Sequence, residues 1–273
     1  MTIEVSHLVV NGCSFTYCQG LEAPWVQGWP ALLAKKLGVP IVNLAVGGSG
    51  NDSIHRRTYE YYYKNKSLIG KPLYIIAFSH ATRREEFFKS YKGKEVEEYM
   101  GLDTSKSSID LVGSLSSSKK QIEDFEFAHI MNLSYEACER KKFLFWNSVV
   151  NLFKANSIPY AVGDYMPSCS IPVHEYMMEH YREIYGEALL NKNSIGDITK
   201  ITKHFKKLEC GHEPIDAMPL ICDTFYNKLI EIYGQIVPVT EVDGQPINFL
   251  NLKEFYSQSV QKLMPWNLWL QNS

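Results

Sequence analysis

Along the first eighty residues, short apolar runs of strand length alternate with apolar stripes of helical spacing. The run "LVV" (8–10) ends at Asn11 and Gly12, the pattern of a strand buried on both faces that stops in a turn. "GWPALLAKKLGVP" (28–40) has apolar residues at 29, 32, 33 and 37 and closes on Gly38 and Pro40, a helix with its stop signal. "IVNLAVGGSGN" (41–51) reads as a second strand entering a glycine-rich turn, "SIHRRTYEYYYKN" (53–65) as a helix and "PLYIIAFSH" (72–80) as a third buried strand. Strand and helix alternating in this way predict an α/β protein, a three-layer α/β/α domain with a central parallel sheet. Such sheets bind ligands at the carboxyl ends of their strands, so the residues just after each strand matter most.

The alternation breaks between about 83 and 140, where a polar, serine-rich stretch, "DTSKSSIDLVGSLSSSKK" (103–120), lies between helical segments. This reads as an inserted lid or a disordered excursion. It resumes with a helix at 141–157 and a fourth strand at 158–167 that ends in a loop; a helix at 176–190 and a loop entering a long amphipathic helix (208–234) follow. The organisation expected is one domain over 1–234 carrying the insertion, and a C-terminal extension over 235–273. That extension holds Trp266 and Trp269 and is expected to wrap the domain or form a subunit contact, which would make a homo-oligomer.

A length of 273 residues, with 45% hydrophobic and 21% charged, suits one ordered domain with insertions. The net charge of −2 gives no general reason to expect a nucleic-acid or anionic-membrane partner. Lys200, Lys203, Lys206 and Lys207 fall on one side of a predicted helix and read as a solvated face in preference to a polyanion site. The six cysteines contain no CxxC pair and read as reduced thiols of a cytoplasmic protein, not as a metal site or a disulfide framework. In "HEYMMEH" (174–180) the histidines are six apart, not the four that place two on one helix face, so no metal site is expected there. No apolar run reaches the length of a membrane-spanning helix.

Nucleophilic acyl chemistry needs an exposed hydroxyl, a histidine to take its proton, an acid to orient that histidine, and donors for the oxyanion. Ser14 stands just past the first strand, where it is either a nucleophile or the cap of the next helix. Gly47, Gly48 and Gly50 close the second strand where the backbone must turn tightly or approach a ligand; GxGxxG and GK[ST] spacings are absent. Asn51 either donates from its amide or caps the helix that follows. In "ECGHEP", Glu209 precedes His212 by three, which in a loop lets the carboxylate fold back onto one imidazole nitrogen. Asp164 and Asp197 are alternative acids, each otherwise a cap or a surface residue.

These three pieces, in this order, resemble the SGNH (GDSL-like) hydrolase family. Gly12, Cys13 and Ser14 of "NGCSFT" stand where that family has Gly-Asp-Ser, with Cys13 replacing Asp. "VNLAVGGSG" is similar to its second block, which implies Gly48 as an oxyanion-hole glycine. "ECGHEP" is similar to its Asp-x-x-His-Pro block, with Glu209 for Asp and one extra residue before the proline. The likeness covers most of the chain outside 83–140 and the tail, and the phrasing is especially similar to SGNH-like proteins of tailed bacteriophages, which would place the protein in the cytoplasm of a host cell. The resemblance implies a flavodoxin-like three-layer fold and hydrolysis of a small-molecule or glycan ester by Ser14, His212 and Glu209, with the N–H groups of Ser14 and Gly48 on the oxyanion and no metal or organic cofactor. An O-acyltransferase of the same fold, or a binding or assembly module without catalysis, are the alternatives.

One departure stands out. The family's third block supplies an asparagine after the third strand, but here that strand runs into "AFSHATRREEF". Ser79, His80 or Thr82 is expected to replace it, or Asn51 to reach in from the neighbouring turn. A missing oxyanion donor costs on the order of a hundredfold in rate. His80 is otherwise a hydrogen-bonded structural residue. Arg83, with Arg84 and Glu85, either binds an anionic substrate group or pairs locally.

Overall fold

The computed structural model describes residues 2–66, 70–81, 83–86, 90–91, 94–95, 109–111, 135–164, 194–242 and 245–246. The chain begins with β1 (Thr2–Val5) and, after Ser6, β2 (His7–Asn11). A one-turn helix α1 (Ser14–Tyr17), α2 (Pro24–Gln27) and α3 (Trp29–Leu37) lead to β3 (Ile41–Asn43), α4 (Asn51–Asn65) and β4 (Pro72–Phe78). The insertion contributes four short strands, β5 (Arg84–Glu86) to β8 (Ile109–Leu111), with β6 (Ser90–Tyr91) and β7 (Lys94–Glu95) between them. Helix α5 (Tyr135–Ala155), β9 (Tyr160–Asp164), β10 (Ser194–Asp197) and α6 (Ile198–Ile201) follow. A 3-10 turn (Ile215–Ala217) enters α7 (Met218–Tyr233), and β11 (Gln235–Pro238), β12 (Glu241–Val242) and β13 (Gln245–Pro246) close the described chain.

The main sheet has five strands in the order β10-β9-β4-β2-β3, every neighbouring pair parallel. Counting its strands along the chain, that order is 2-1-3-4-5, the flavodoxin-like arrangement, whose switch point falls between β2 and β4. Side chains alternate between two cores as the pleat requires. Leu8, Val10, Leu73, Ile75, Ala77 and Ala161 face α3 and α7, where Trp29 stacks on Phe225 at 4.3 Å. Val9, Tyr74, Ile76, Phe78, Tyr160 and Val162 face α4 and α5, where Phe78 stacks on Trp146 at 5.2 Å. This is the three-layer α/β/α architecture expected from the sequence.

Gly12 is where the first strand must bend closely past its neighbour. A Cβ there would lie 2.9 Å from the Ala77 carbonyl oxygen and 2.1 Å from Thr16 Oγ1, so only glycine fits between the ends of β2 and β4.

Several elements differ from the sequence reading. Helix α5 starts at Tyr135 instead of 141, because "YEACER" holds Ala, Arg and two Glu, all good helix formers, and continues the same helix. Strand β10 was not anticipated: four residues with Gly196 among them carry no periodicity, and its register shifts on β9. The lysines from 200 to 207 do not share a helix face, since α6 ends at Ile201. Beyond it the chain folds back so that Thr202 Oγ1 and Lys207 Nζ both reach Glu213, at 3.1 and 2.5 Å. The first residues of the C-terminal extension are part of the domain, because β11 pairs in parallel with β1. The helix expected at 176–190, and Trp266 and Trp269, lie outside the described residues. Among the described residues, no helix is long and apolar enough to cross a membrane.

Candidate functional site

The carboxyl ends of β2, β3 and β4 bring three turns together. The turn after β3 runs beside the segment after β2, with Leu44 N donating to Val10 O at 2.7 Å and Val46 N to Gly12 O at 3.3 Å. Asn51 ties it to the turn after β4. Its Oδ1 accepts from Ser79 N at 2.7 Å, and its Nδ2 donates to Ser79 O at 3.1 Å and His80 O at 3.2 Å.

Ser14 is the first residue of α1 and only 3% exposed. The capping position belongs to Cys13, which makes no side-chain cap bond, so Ser14 is not the helix cap. The first hydrogen bond of the turn runs from Tyr17 N to Cys13 O, which leaves the Ser14 N–H without an intrahelical acceptor. Gly48 has φ +80°, a left-handed conformation natural to glycine. Its N–H donates no hydrogen bond among the described residues. Both donors assigned to the oxyanion are therefore available.

His212 arrives from the loop before α7. Its ring packs on Phe15, the neighbour of Ser14, with centroids 4.7 Å apart. Nε2 is buried and has no hydrogen-bond partner among the described residues, so it does not bond to Ser14 Oγ here; Nδ1 lies 3.3 Å from Cys210 Sγ. Desolvation holds the imidazole below its ordinary pKa, the cations of Arg83 and Lys207 push the same way, and the Glu213 carboxylate opposes them.

Not every expected residue takes its expected place. Glu209 is exposed and makes no hydrogen bond to His212. Leu208 N donates to His212 O at 2.8 Å and Gly211 N to Leu208 O at 2.8 Å, which leaves Glu209 on the tip of the turn. The buried carboxylate next to the imidazole is Glu213, 2% exposed, held by Lys207 and Thr202. Asn51 does not serve as an oxyanion donor, because both hydrogens of its amide lie on carbonyl oxygens. Nor does it cap α4, whose N-cap is Gly50.

At the end of β4, Ser79 is fully buried and its hydroxyl accepts from Arg83 Nη1 at 3.3 Å. His80 is half-buried, and its pKa is lowered first by desolvation, then by Lys142 and Arg83, with Asp164 opposing. Asp164 closes β9 in a buried ion pair with Lys142. It is thus engaged with a lysine and not with His212. Thr82 lies outside the described residues, as does the Asp197 side chain. Among the described residues no group of three or more His, Cys, Asp or Glu side chains is placed to hold a metal ion.

Sequence reasoning passed over Glu213, Cys210 and Lys142. The first two stand in the same six-residue stretch as His212, so the signal was present and the acid chosen from it was the other one.

No protein-family model and no curated protein matches the chain. Solved structures do. The psychrotrophic esterase EstA from Pseudoalteromonas sp. is 13% identical, with 84% of this chain and 100% of that chain covered at a TM-score of 0.47. TesA is 14% identical over 83% and 99% of the two chains, at 0.46. A GDSL-like lipase from Bacteroides thetaiotaomicron is 14% identical over 83% and 89%, at 0.41. At these scores the likeness assigns no role to any residue; the solved structures to which this chain is similar include GDSL-type lipolytic hydrolases.

Proposed function

We propose that the chain is a serine ester hydrolase of the SGNH type. The observation that carries this reading is the meeting of His212 with the Ser14 turn: the imidazole rests on Phe15 with Nε2 buried and unpartnered, at the switch point of the sheet. In the reaction, Ser14 Oγ attacks the ester carbonyl as His212 Nε2 takes its proton. The oxyanion is held by the N–H groups of Ser14 and Gly48. Collapse expels the alcohol, which takes the proton from His212, and a water activated by the same imidazole releases the acid. Cys210 Sγ stands at Nδ1 and Glu213 supplies the negative field that favours the imidazolium. The substrate is a small-molecule or glycan ester; if a sugar hydroxyl replaces the water, the same acyl-enzyme makes the protein an O-acyltransferase.

A fluorophosphonate tests the nucleophile. Intact mass should rise by one adduct per chain, the adduct should map to Ser14, and Ser14→Ala and His212→Ala should block it. Unmodified wild-type protein, or equal labelling of Ser14→Ala, refutes the assignment.

A second reading, a binding module on the same fold, is favoured by one observation: the amide of Asn51 is fully engaged and the segment directly after β4, "SHATRREEF", holds no asparagine. Its test is truncation after Pro246, which leaves β11 on β1; loss of self-association would support it, and unchanged self-association together with Ser14 labelling would remove it.

A further inference from the structure

Among the described residues, two cations near the carboxyl end of the sheet are held in ion pairs. Lys142 is held by Asp164 and Lys207 by Glu213. Arg83 follows β4 in the turn that carries Ser79 and His80, and is half-buried. Its backbone N–H donates to His80 O at 3.1 Å, and its Nη1 reaches the neutral Ser79 hydroxyl at 3.3 Å. No carboxylate pairs with its guanidinium among the described residues. A guanidinium carries five N–H donors in a planar fork, so most of them have no acceptor among the described residues. Partial burial of a cation without a counter-charge is unfavourable, and a planar fork left open suits an incoming carboxylate or phosphate.

The placement says what such an anion would belong to. Arg83 lies four residues beyond Ser79, which Asn51 ties to the strand-end turn that carries Gly48. Its charge disfavours the protonated form of both His80 and His212.

We infer that Arg83 recognises an anionic group, carboxylate or phosphate, carried by the substrate beside its ester bond. This deepens the hydrolase reading and rests on it. It also couples recognition to chemistry: an anion on Arg83 neutralises a cation that disfavours the imidazolium, so binding raises the basicity of His212.

Two measurements test it. The first compares kcat/KM for the 4-nitrophenyl monoester of glutaric acid with that for 4-nitrophenyl butyrate. Wild type should favour the anionic ester, and Arg83→Gln should lower the anionic-to-neutral ratio roughly tenfold or more. Lys154→Gln, which removes an exposed charge near the carboxyl end of α5, should leave the ratio unchanged. The second follows the His212 ring protons by NMR against pH. Glutarate or inorganic phosphate should raise the His212 pKa in wild type and not in Arg83→Gln, and the stronger of the two identifies the group preferred. Equal ratios in wild type and Arg83→Gln, or equal anion responses in both, overturn the inference. If neither ester turns over and Ser14 resists fluorophosphonate, the hydrolase reading fails, while the NMR titration still decides whether Arg83 binds an anion.

Discussion

Replacing Asn51 by alanine separates a latch from an oxyanion donor. In the folded protein this side chain makes three hydrogen bonds, the two to Ser79 buried and the one to His80 partly buried. Ser79 is fully buried, so Asn51→Ala strands its N–H without an acceptor, which costs about 1–3 kcal/mol. Two carbonyl oxygens lose donors as well, and a small cavity opens, so a total of roughly 2–4 kcal/mol is expected. With a urea m-value of about 2–3 kcal/mol/M, that moves the midpoint down by roughly 1 M at constant m. Asn51→Asp retains the acceptor for Ser79 N but turns a carboxylate oxygen toward two carbonyl oxygens. It should be at least as destabilising at neutral pH. Its carboxyl pKa is raised in the folded state, so part of the loss should be recovered as pH falls and the protonated group regains a donor. If Asn51→Ala kept the wild-type midpoint while kcat fell a hundredfold, Asn51 would be a donor to the reacting oxyanion and the latch would be refuted.

Three further outcomes are expected. Gly12→Ala should be severely destabilised, because its Cβ would lie 2.1 Å from Thr16 Oγ1 and 2.9 Å from the Ala77 carbonyl; adding Thr16→Ala should rescue it only partly, since the carbonyl remains, and a wild-type melting temperature for Gly12→Ala would contradict the packing. Burial lowers the His7 pKa to about 3, so the unfolded chain binds the extra proton; stability from this group is complete above about pH 6.5 and falls by about 1.4 kcal/mol per unit as pH drops toward 3. His7→Gln should flatten the pH dependence of urea stability by that slope, and an unchanged slope counts against the buried neutral imidazole. Glu213→Gln removes the carboxylate that raises the His212 pKa and frees Lys207, which lowers it; the acid limb of kcat/KM should move to lower pH, and a limb that stays or rises would show that Glu213 does not act on His212.

Most strands of the main sheet and its long helices were legible in the sequence because the signals are long-range averages. Buried strands such as Pro72–Phe78 are nearly all apolar, and α3 and α7 repeat apolar residues at helical spacing. The turn glycines were legible for a different reason: Gly12 and Gly48 sit where backbone contact or positive φ excludes a side chain. What was not legible depends on which way one side chain points. Asn51 after a glycine turn fits a cap, an oxyanion donor or a latch equally well, and only the position of Ser79 and His80, some thirty residues away in sequence, selects the latch. Strand β10 has four residues and gains its identity from β9, not from its own pattern.

The acid beside His212 shows the same limit at the shortest range. A spacing of three between Glu209 and His212 favours contact only if the backbone lets residue 209 curl inward. Here the backbone does the opposite. The bonds between Leu208 and His212, and between Gly211 and Leu208, make 209–211 the tip of a turn, and Gly211, with φ +80°, permits the reversal. Glu209 is directed to solvent, while Cys210 reaches Nδ1 and Glu213, the first residue past the turn, goes into the protein. Burial there needs a counter-charge and a donor, and Lys207 and Thr202 provide them. The carboxylate is therefore fixed by its own partners before any histidine is considered, and its field reaches His212 without a hydrogen bond between them. An imidazole held this way is oriented by packing on Phe15 and by a sulfur contact, and its pKa is lowered first by desolvation, with Arg83 and Lys207 adding to that and Glu213 opposing it. In the proposed reaction, burial and that balance of charges, more than the identity of any one acid, set how strong a base His212 is.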